Sequence, residues 1–147
     1  MNIYEALRKD HDEQRSLLSM ILETEGDSHD RAELFRQLKS ALSAHAIAEE
    51  RHFYIPLLGQ DLTQEKSRHG IAEHHQIDEL VERLVEAEPS TSAWLTIARQ
   101  LDEKVRHHLE EEERIVFPLS GKVLSDQQKE QLVADYQDSM RRYTSDS

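Results

Sequence analysis

There is no cysteine in this chain of 147 residues, which excludes a disulfide framework, a thiolate metal site and a cysteine nucleophile. A metal held here would sit on nitrogen and oxygen donors. Proline (three) and glycine (four) are scarce, and aromatic residues make up only 5%. With charged residues at 33%, that composition favours helices over strands. Positive charge is the other shortage: eighteen Lys and Arg stand against thirty Asp and Glu, for a formal charge of -12. Such a surface repels phosphate backbones and anionic lipid, so neither nucleic acid nor a membrane is expected as a partner. No apolar run approaches membrane-spanning length, and the start Met1-Asn2-Ile3-Tyr4-Glu5 carries acid where a secretory signal carries base. A cytoplasmic location is expected.

What the chain does have is apolar periodicity of the helical kind nearly throughout. Breakers and caps divide it into four long segments of about 3–25, 30–58, 63–88 and 92–120, and a shorter one of about 125–143. Gly26-Asp27-Ser28 and Pro89-Ser90-Thr91 separate the members of each hairpin, while Pro56 with Gly59 and Pro118 with Gly121 close the second and fourth segments. A kink is expected near Tyr54, and Ser125 with Gln128 has capping-box spacing. The loops are short, so the expected fold is all-α: an up-down-up-down four-helix bundle plus a short C-terminal helix, in a single domain over residues 1–147. The last helix is expected outside the bundle or across one end, and the tail Thr144 to Ser147 is expected to fray.

The chain also has nine histidines, and their placement is ordered. Sliding the sequence on itself by 63 residues pairs His11 with His74, His45 with His108, Glu49 with Glu112, Glu50 with Glu113, Arg51 with Arg114 and Tyr54 with Phe117. Leu17 with Leu80, Leu38 with Leu101 and Leu42 with Val105 follow the same shift, which marks a duplicated helical hairpin. His11 and His45 are equidistant from the first turn, His74 and His108 from the second, and His45 and His74 from Gly59-Gln60. Antiparallel neighbours therefore bring all four imidazoles to one level. His45 and His108 lie on apolar stripes, and Glu49 and Glu112 follow them one turn later on the same faces. Six side chains thus converge on one buried volume, where two carboxylates and several imidazoles left bare would cost many kcal/mol. This donor set, with room for two ions bridged by the Glu pair, suits a non-haem di-iron centre; manganese or zinc also fits by ligand type.

The segments Asp10-His11, His45-Ala46-Ile47-Ala48-Glu49-Glu50 leading to Tyr54 and Pro56, Glu73-His74, and His108-Leu109-Glu110-Glu111-Glu112-Glu113 leading to Phe117-Pro118 resemble the hemerythrin-like HHE cation-binding domains over about residues 1–120. The resemblance implies a di-iron four-helix bundle in which His11, His45, His74 and His108 are terminal ligands and Glu49 and Glu112 bridge. Oxygen-carrying hemerythrins have a further His four residues after the third-helix ligand; here that position is Asp78. Asp78 and His52 are additional candidates as ligands or as supporting residues around them. His75 and His107 point about 100° away from their ligand neighbours, and His29 and His69 lie near helix starts; these four are expected at the surface. Tyr54 and Phe117 read as packing, Trp94 as core at the far end, and Tyr4 as a weaker redox candidate.

Functionally, a di-iron pair with a vacant position binds dioxygen, nitric oxide or peroxide, so binding or sensing of a small ligand is expected. The resemblance adds iron handling and oxidative or nitrosative stress as settings, and a sensor of this kind would signal through a protein partner. The alternative is a di-iron enzyme acting on peroxide or nitric oxide, or one that repairs iron centres.

Overall fold

Residues 1–144 are described in this computed structural model, and among them all regular structure is helical. Helix α1 is Ile3–Leu22. Helix α2 runs over 29–58 as an α segment His29–Glu49, one π turn Glu50–Tyr54 and a last α turn Ile55–Leu58. Helix α3 is Gln64–Glu86. Helix α4 repeats the pattern of α2 over 92–120, with its π turn at Glu112–Val116. Helix α5 is Asp126–Thr144, so Thr144 closes a helix; the rest of the tail expected to fray, residues 145–147, lies outside the described residues.

Side chains set these boundaries. Asn2, Ser28 and Thr91 each accept a backbone N–H three residues on, at 3.0, 3.1 and 3.3 Å, and the Ser125–Gln128 box closes with bonds of 2.7 and 3.1 Å. Thr63 precedes α3 as expected, but its hydroxyl donates back to the Leu57 carbonyl instead of capping. Helix α1 stops three residues before the expected Glu25. The Thr24 hydroxyl takes the Ile21 carbonyl, and the chain then turns through Gly26 at φ 60°, a left-handed conformation that favours glycine.

The kink expected near Tyr54 is the first π turn, in which Ile55 N–H bonds the Glu50 carbonyl; Phe117 N–H does the same to Glu112 in α4. Pro56 and Pro118 follow directly, and a ring lacking N–H is accommodated where the helix widens. The widening also aims side chains. Five residues along an α-helix is about 140° around the axis, whereas a π turn brings i and i+5 back to one face. Tyr54 thereby joins Glu49, and Phe117 joins Glu112, on the interior side.

Each of the first four helices packs on its sequence neighbours, and α4 closes the ring against α1. One apolar cluster, built around Leu18, Leu38, Leu84, Trp94 and Leu101, fills the end with the hairpin turns. A second, around Ile3, Leu7, Phe53, Leu57 and Phe117, fills the other end, and the histidine layer lies between them. Helix α5 docks along α2 and α1 of its own bundle, burying Val133 and Tyr136 in the second cluster. At the turn end, buried Arg31 ties the two hairpins together: it donates to the Thr24 hydroxyl and carbonyl and to the Pro89 carbonyl, with its guanidinium 4.4 Å from the Trp94 ring centre.

Candidate metal centre

The six side chains expected to converge do so, and all are at most 5% exposed. His11 and His45 meet edge to face with ring centres 5.0 Å apart, as do His74 and His108. Between the two pairs lie the carboxylates of Glu49 and Glu112, each reaching toward both. Glu49 places Oε2 3.4 Å from His45 Nε2 and Oε1 3.1 Å from His74 Nε2. Glu112 places Oε1 3.2 Å from His11 Nε2 and Oε2 3.6 Å from His108 Nε2. The donors form two groups, His11, His45, Glu49 and Glu112 on one side and Glu49, His74 and His108 on the other; within each, the donor atoms lie within 4.8 Å of one another.

The protonation pattern is set from outside. His11 Nδ1 bonds Glu113 at 2.7 Å, His74 Nδ1 bonds Glu50 at 3.1 Å, and His108 Nδ1 bonds Glu73 at 2.8 Å. A carboxylate only accepts, so each of these rings carries a proton on Nδ1 and turns its Nε2 inward. His45 reaches the same state by a longer chain: its Nδ1–H donates to Tyr136 Oη at 2.7 Å, whose O–H donates to Asp10 at 2.5 Å. Lys104 and Arg15 anchor the outer carboxylates Glu73 and Glu113 at 3.1 and 3.0 Å. Burial alone would push Glu73 and Glu113 up, but their bonds to His108 and His11 and to these cations hold both down at about 2.

Inside this shell the inward atoms have no hydrogen-bond partner: Nε2 of all four histidines, both oxygens of Glu49 and Oε1 of Glu112. Each unpaired buried polar atom costs about 1–3 kcal/mol, so seven gathered at one point call for a shared positive partner. Imidazole nitrogen and carboxylate oxygen, with no sulfur, are the donors that fit iron, manganese or zinc.

The remaining sequence candidates fall elsewhere. Asp78 is exposed and belongs to neither group; four residues past His74 it is about 40° further around α3, on the solvent side. His52 is half-buried and also outside both groups, rotated away by the π turn that carries it. His75 and His107 are exposed, as read from their faces, His29 and His69 are exposed, as read from their places near helix starts, and Trp94 is core at the turn end. Tyr4 meets Ser120 at 2.7 Å and packs on Phe117. Tyr54 does more than pack: its hydroxyl donates to Glu112 Oε2, and burial beside Glu112 and Glu49 pushes it well above the usual phenol range. Tyr136 has no counterpart in the 63-residue register, so no sequence signal placed it on His45.

Fold and site together define a helical bundle closed around an imidazole–carboxylate cage for cations. The chain belongs to the hemerythrin HHE cation-binding domain family, whose model matches residues 2–120. A curated relative, a DNA nickase from Nostoc sp. (strain PCC 7120 / SAG 25.82 / UTEX 2576), is 29% identical over 136 residues; the match covers 92% of this chain but only 38% of the relative. A crystal structure of a hemerythrin HHE cation binding domain-containing protein from Mycobacterium kansasii superposes with a TM-score of 0.89, covering 99% of this chain and 89% of that one at 24% identity. That likeness extends over α5 as well as the four-helix ring.

Proposed function

We propose that this chain is a non-haem di-iron protein that binds or senses a small ligand such as dioxygen, nitric oxide or peroxide, in the setting of iron handling or oxidative and nitrosative stress. His11 and His45 would hold one ion, His74 and His108 the other, with Glu49 and Glu112 shared between them. When bound, iron supplies redox chemistry and an open coordination position. The chain's own residues orient four imidazoles, fix their tautomers, exclude water with the two apolar clusters, and keep a phenolic proton at Tyr54 Oη beside Glu112.

The observation that carries this reading is the set of seven unpartnered inward atoms backed by a complete outer ring of hydrogen bonds. Asp78 is exposed where an oxygen carrier has a fifth histidine, so the His74–His108 ion would have one protein ligand fewer and a position free for exchange. Optical spectra of the iron-loaded protein under air, nitric oxide and peroxide test it: ligand-dependent bands titrating to a fixed stoichiometry support binding or sensing. Spectra unmoved by all three would contradict it.

A second reading, a di-iron enzyme acting on peroxide or nitric oxide or in repair of iron centres, is favoured by one feature, the Tyr54 hydroxyl in the cage, which supplies a proton donor. Rapid catalytic loss of peroxide or nitric oxide, in place of stoichiometric binding, separates the two. The charge of -12 supports a partner other than nucleic acid or membrane, and the absence of any helix in the described residues able to cross a membrane accords with a cytoplasmic setting.

A further inference from the structure

The two halves of the cage match residue for residue across the repeat, yet their outer faces do not. A narrow cleft of about 10 Å³, room for about one water molecule, enters between α3 and α4. Its mouth carries Lys66, His69 and Glu111, which are 38%, 53% and 18% exposed, and its inner end is His108, Glu112 and Tyr54, all buried. Two of the unpartnered inward atoms, His108 Nε2 and Glu112 Oε1, belong to those inner residues. Three larger surface cavities touch none of the six cage residues.

The same positions in the first hairpin are closed. Shifted by 63, Lys66, His69 and Glu111 become Ile3, Ala6 and Ala48, and Gly70 becomes Leu7. Those four apolar residues lie in the second core cluster beneath α5, with Val133 and Tyr136 over them. One face of the cage is therefore sealed by the C-terminal helix, and its repeat mate is left polar and indented.

Gly70 is what makes the indentation. A methyl there would land on the Tyr54 hydroxyl and 2.5 Å from its ring carbon Cζ, both deep in the core where neither can yield. With hydrogen at that position, Tyr54 fits against α3 and reaches Glu112; in the sealed half, Leu7 fills the space and the repeat mate Phe117 has no hydroxyl to deliver.

Resting on the di-iron reading, we infer that the α3–α4 cleft over Gly70 is the route by which small ligands exchange with the His74–His108 half of the centre, with the Tyr54 hydroxyl at its inner end. Gly70 is a positioning residue for that tyrosine.

The probe is azide, mixed by stopped flow with iron-loaded protein and followed optically, with rates normalised to bound iron. His69→Trp and Lys66→Trp, which plug the mouth from exposed positions, are expected to slow azide binding and release together by at least about tenfold, which is a raised barrier rather than a changed affinity. His75→Trp, on the exposed side of the same helix, is expected to leave both rates alone. Unchanged rates in both plugging variants, or equal slowing in the control, would overturn the route. For the positioning role, Gly70→Ala is expected to lower Tm in the wild-type background and much less in Tyr54→Ala; equal losses in both would overturn it. Iron analysis of each preparation separates the failures: a protein that binds no metal overturns the di-iron reading and the route together, whereas full metal with unplugged kinetics overturns the route alone.

Discussion

An imidazole has two nitrogens, and in this cage each of the four rings gives Nδ1 to the protein and keeps Nε2 for the interior. That division makes the outer partners testable. Tyr136→Phe removes the link between His45 and Asp10, and loss of such a partner lowers metal affinity by about 10- to 100-fold. Competition against a chelator checks it, and an affinity equal to wild type would show that α5 merely packs. Protonation gives a second test. In metal-free protein burial opposes charge on His74, but the Glu49 and Glu50 carboxylates beside the ring prevail and raise it from 6.5 to about 10. A folded-state value above the unfolded one stabilises fully below pH 6.5, and that stabilisation fades as the pH climbs through about 10. Melting temperature of the metal-free form is therefore expected to fall from neutral pH toward pH 10, while the loaded form, whose imidazoles have already released the proton, escapes that loss. Parallel melting profiles would contradict this. The six inward residues were legible because the duplication set them in register, and Glu50 with Glu113 stood in the same register. Tyr136 and Gly70 were not, because each acts where the repeat is broken: one enters from an unduplicated helix, the other matters for a side chain it lacks.

Among the elements, α5 is the one whose position composition and spacing left open. Its sequence showed an amphipathic helix with a capping box, but which surface its apolar side would meet depends on Ile3, Leu7, Ala48 and Phe53, apolar residues distant in sequence that form its seat. Placing a carboxylate in that seat by Val133→Asp is expected to destabilise the protein by about 3 kcal/mol or more, through burial of an unpaired charge, and to weaken metal retention by shifting Tyr136. Denaturant unfolding with metal analysis checks both; lost stability with metal retention intact would mean that the seat and the cage are uncoupled. The π turns were half legible. Pro56 and Pro118 signalled a disturbance, yet a kink and a widened turn answer the same local conflict, and only the interior demand for Tyr54 beside Glu49 distinguishes them.

Over the whole molecule, two apolar clusters flank one polar layer, so stability and function are separable along the bundle axis. Leu101, 1% exposed in the turn-end cluster, belongs to no cage contact. Leu101→Ala is expected to cost about 3–5 kcal/mol of unfolding free energy with metal content unchanged, measured by denaturant unfolding and elemental analysis on one preparation. Loss of metal in proportion to stability would show the two ends to be a single cooperative unit. The fold class was readable because helical periodicity, short turns and duplication all specified the same bundle. What binds at the centre rests on the cage itself, and elemental analysis of wild type beside Glu49→Ala and His107→Ala addresses that cage. Glu49 belongs to both donor groups, and His107 is exposed beside a cage residue. The expected result is close to two iron ions per chain in wild type and in His107→Ala, with marked loss in Glu49→Ala; equal metal in all three, or none after loading in any, would contradict it.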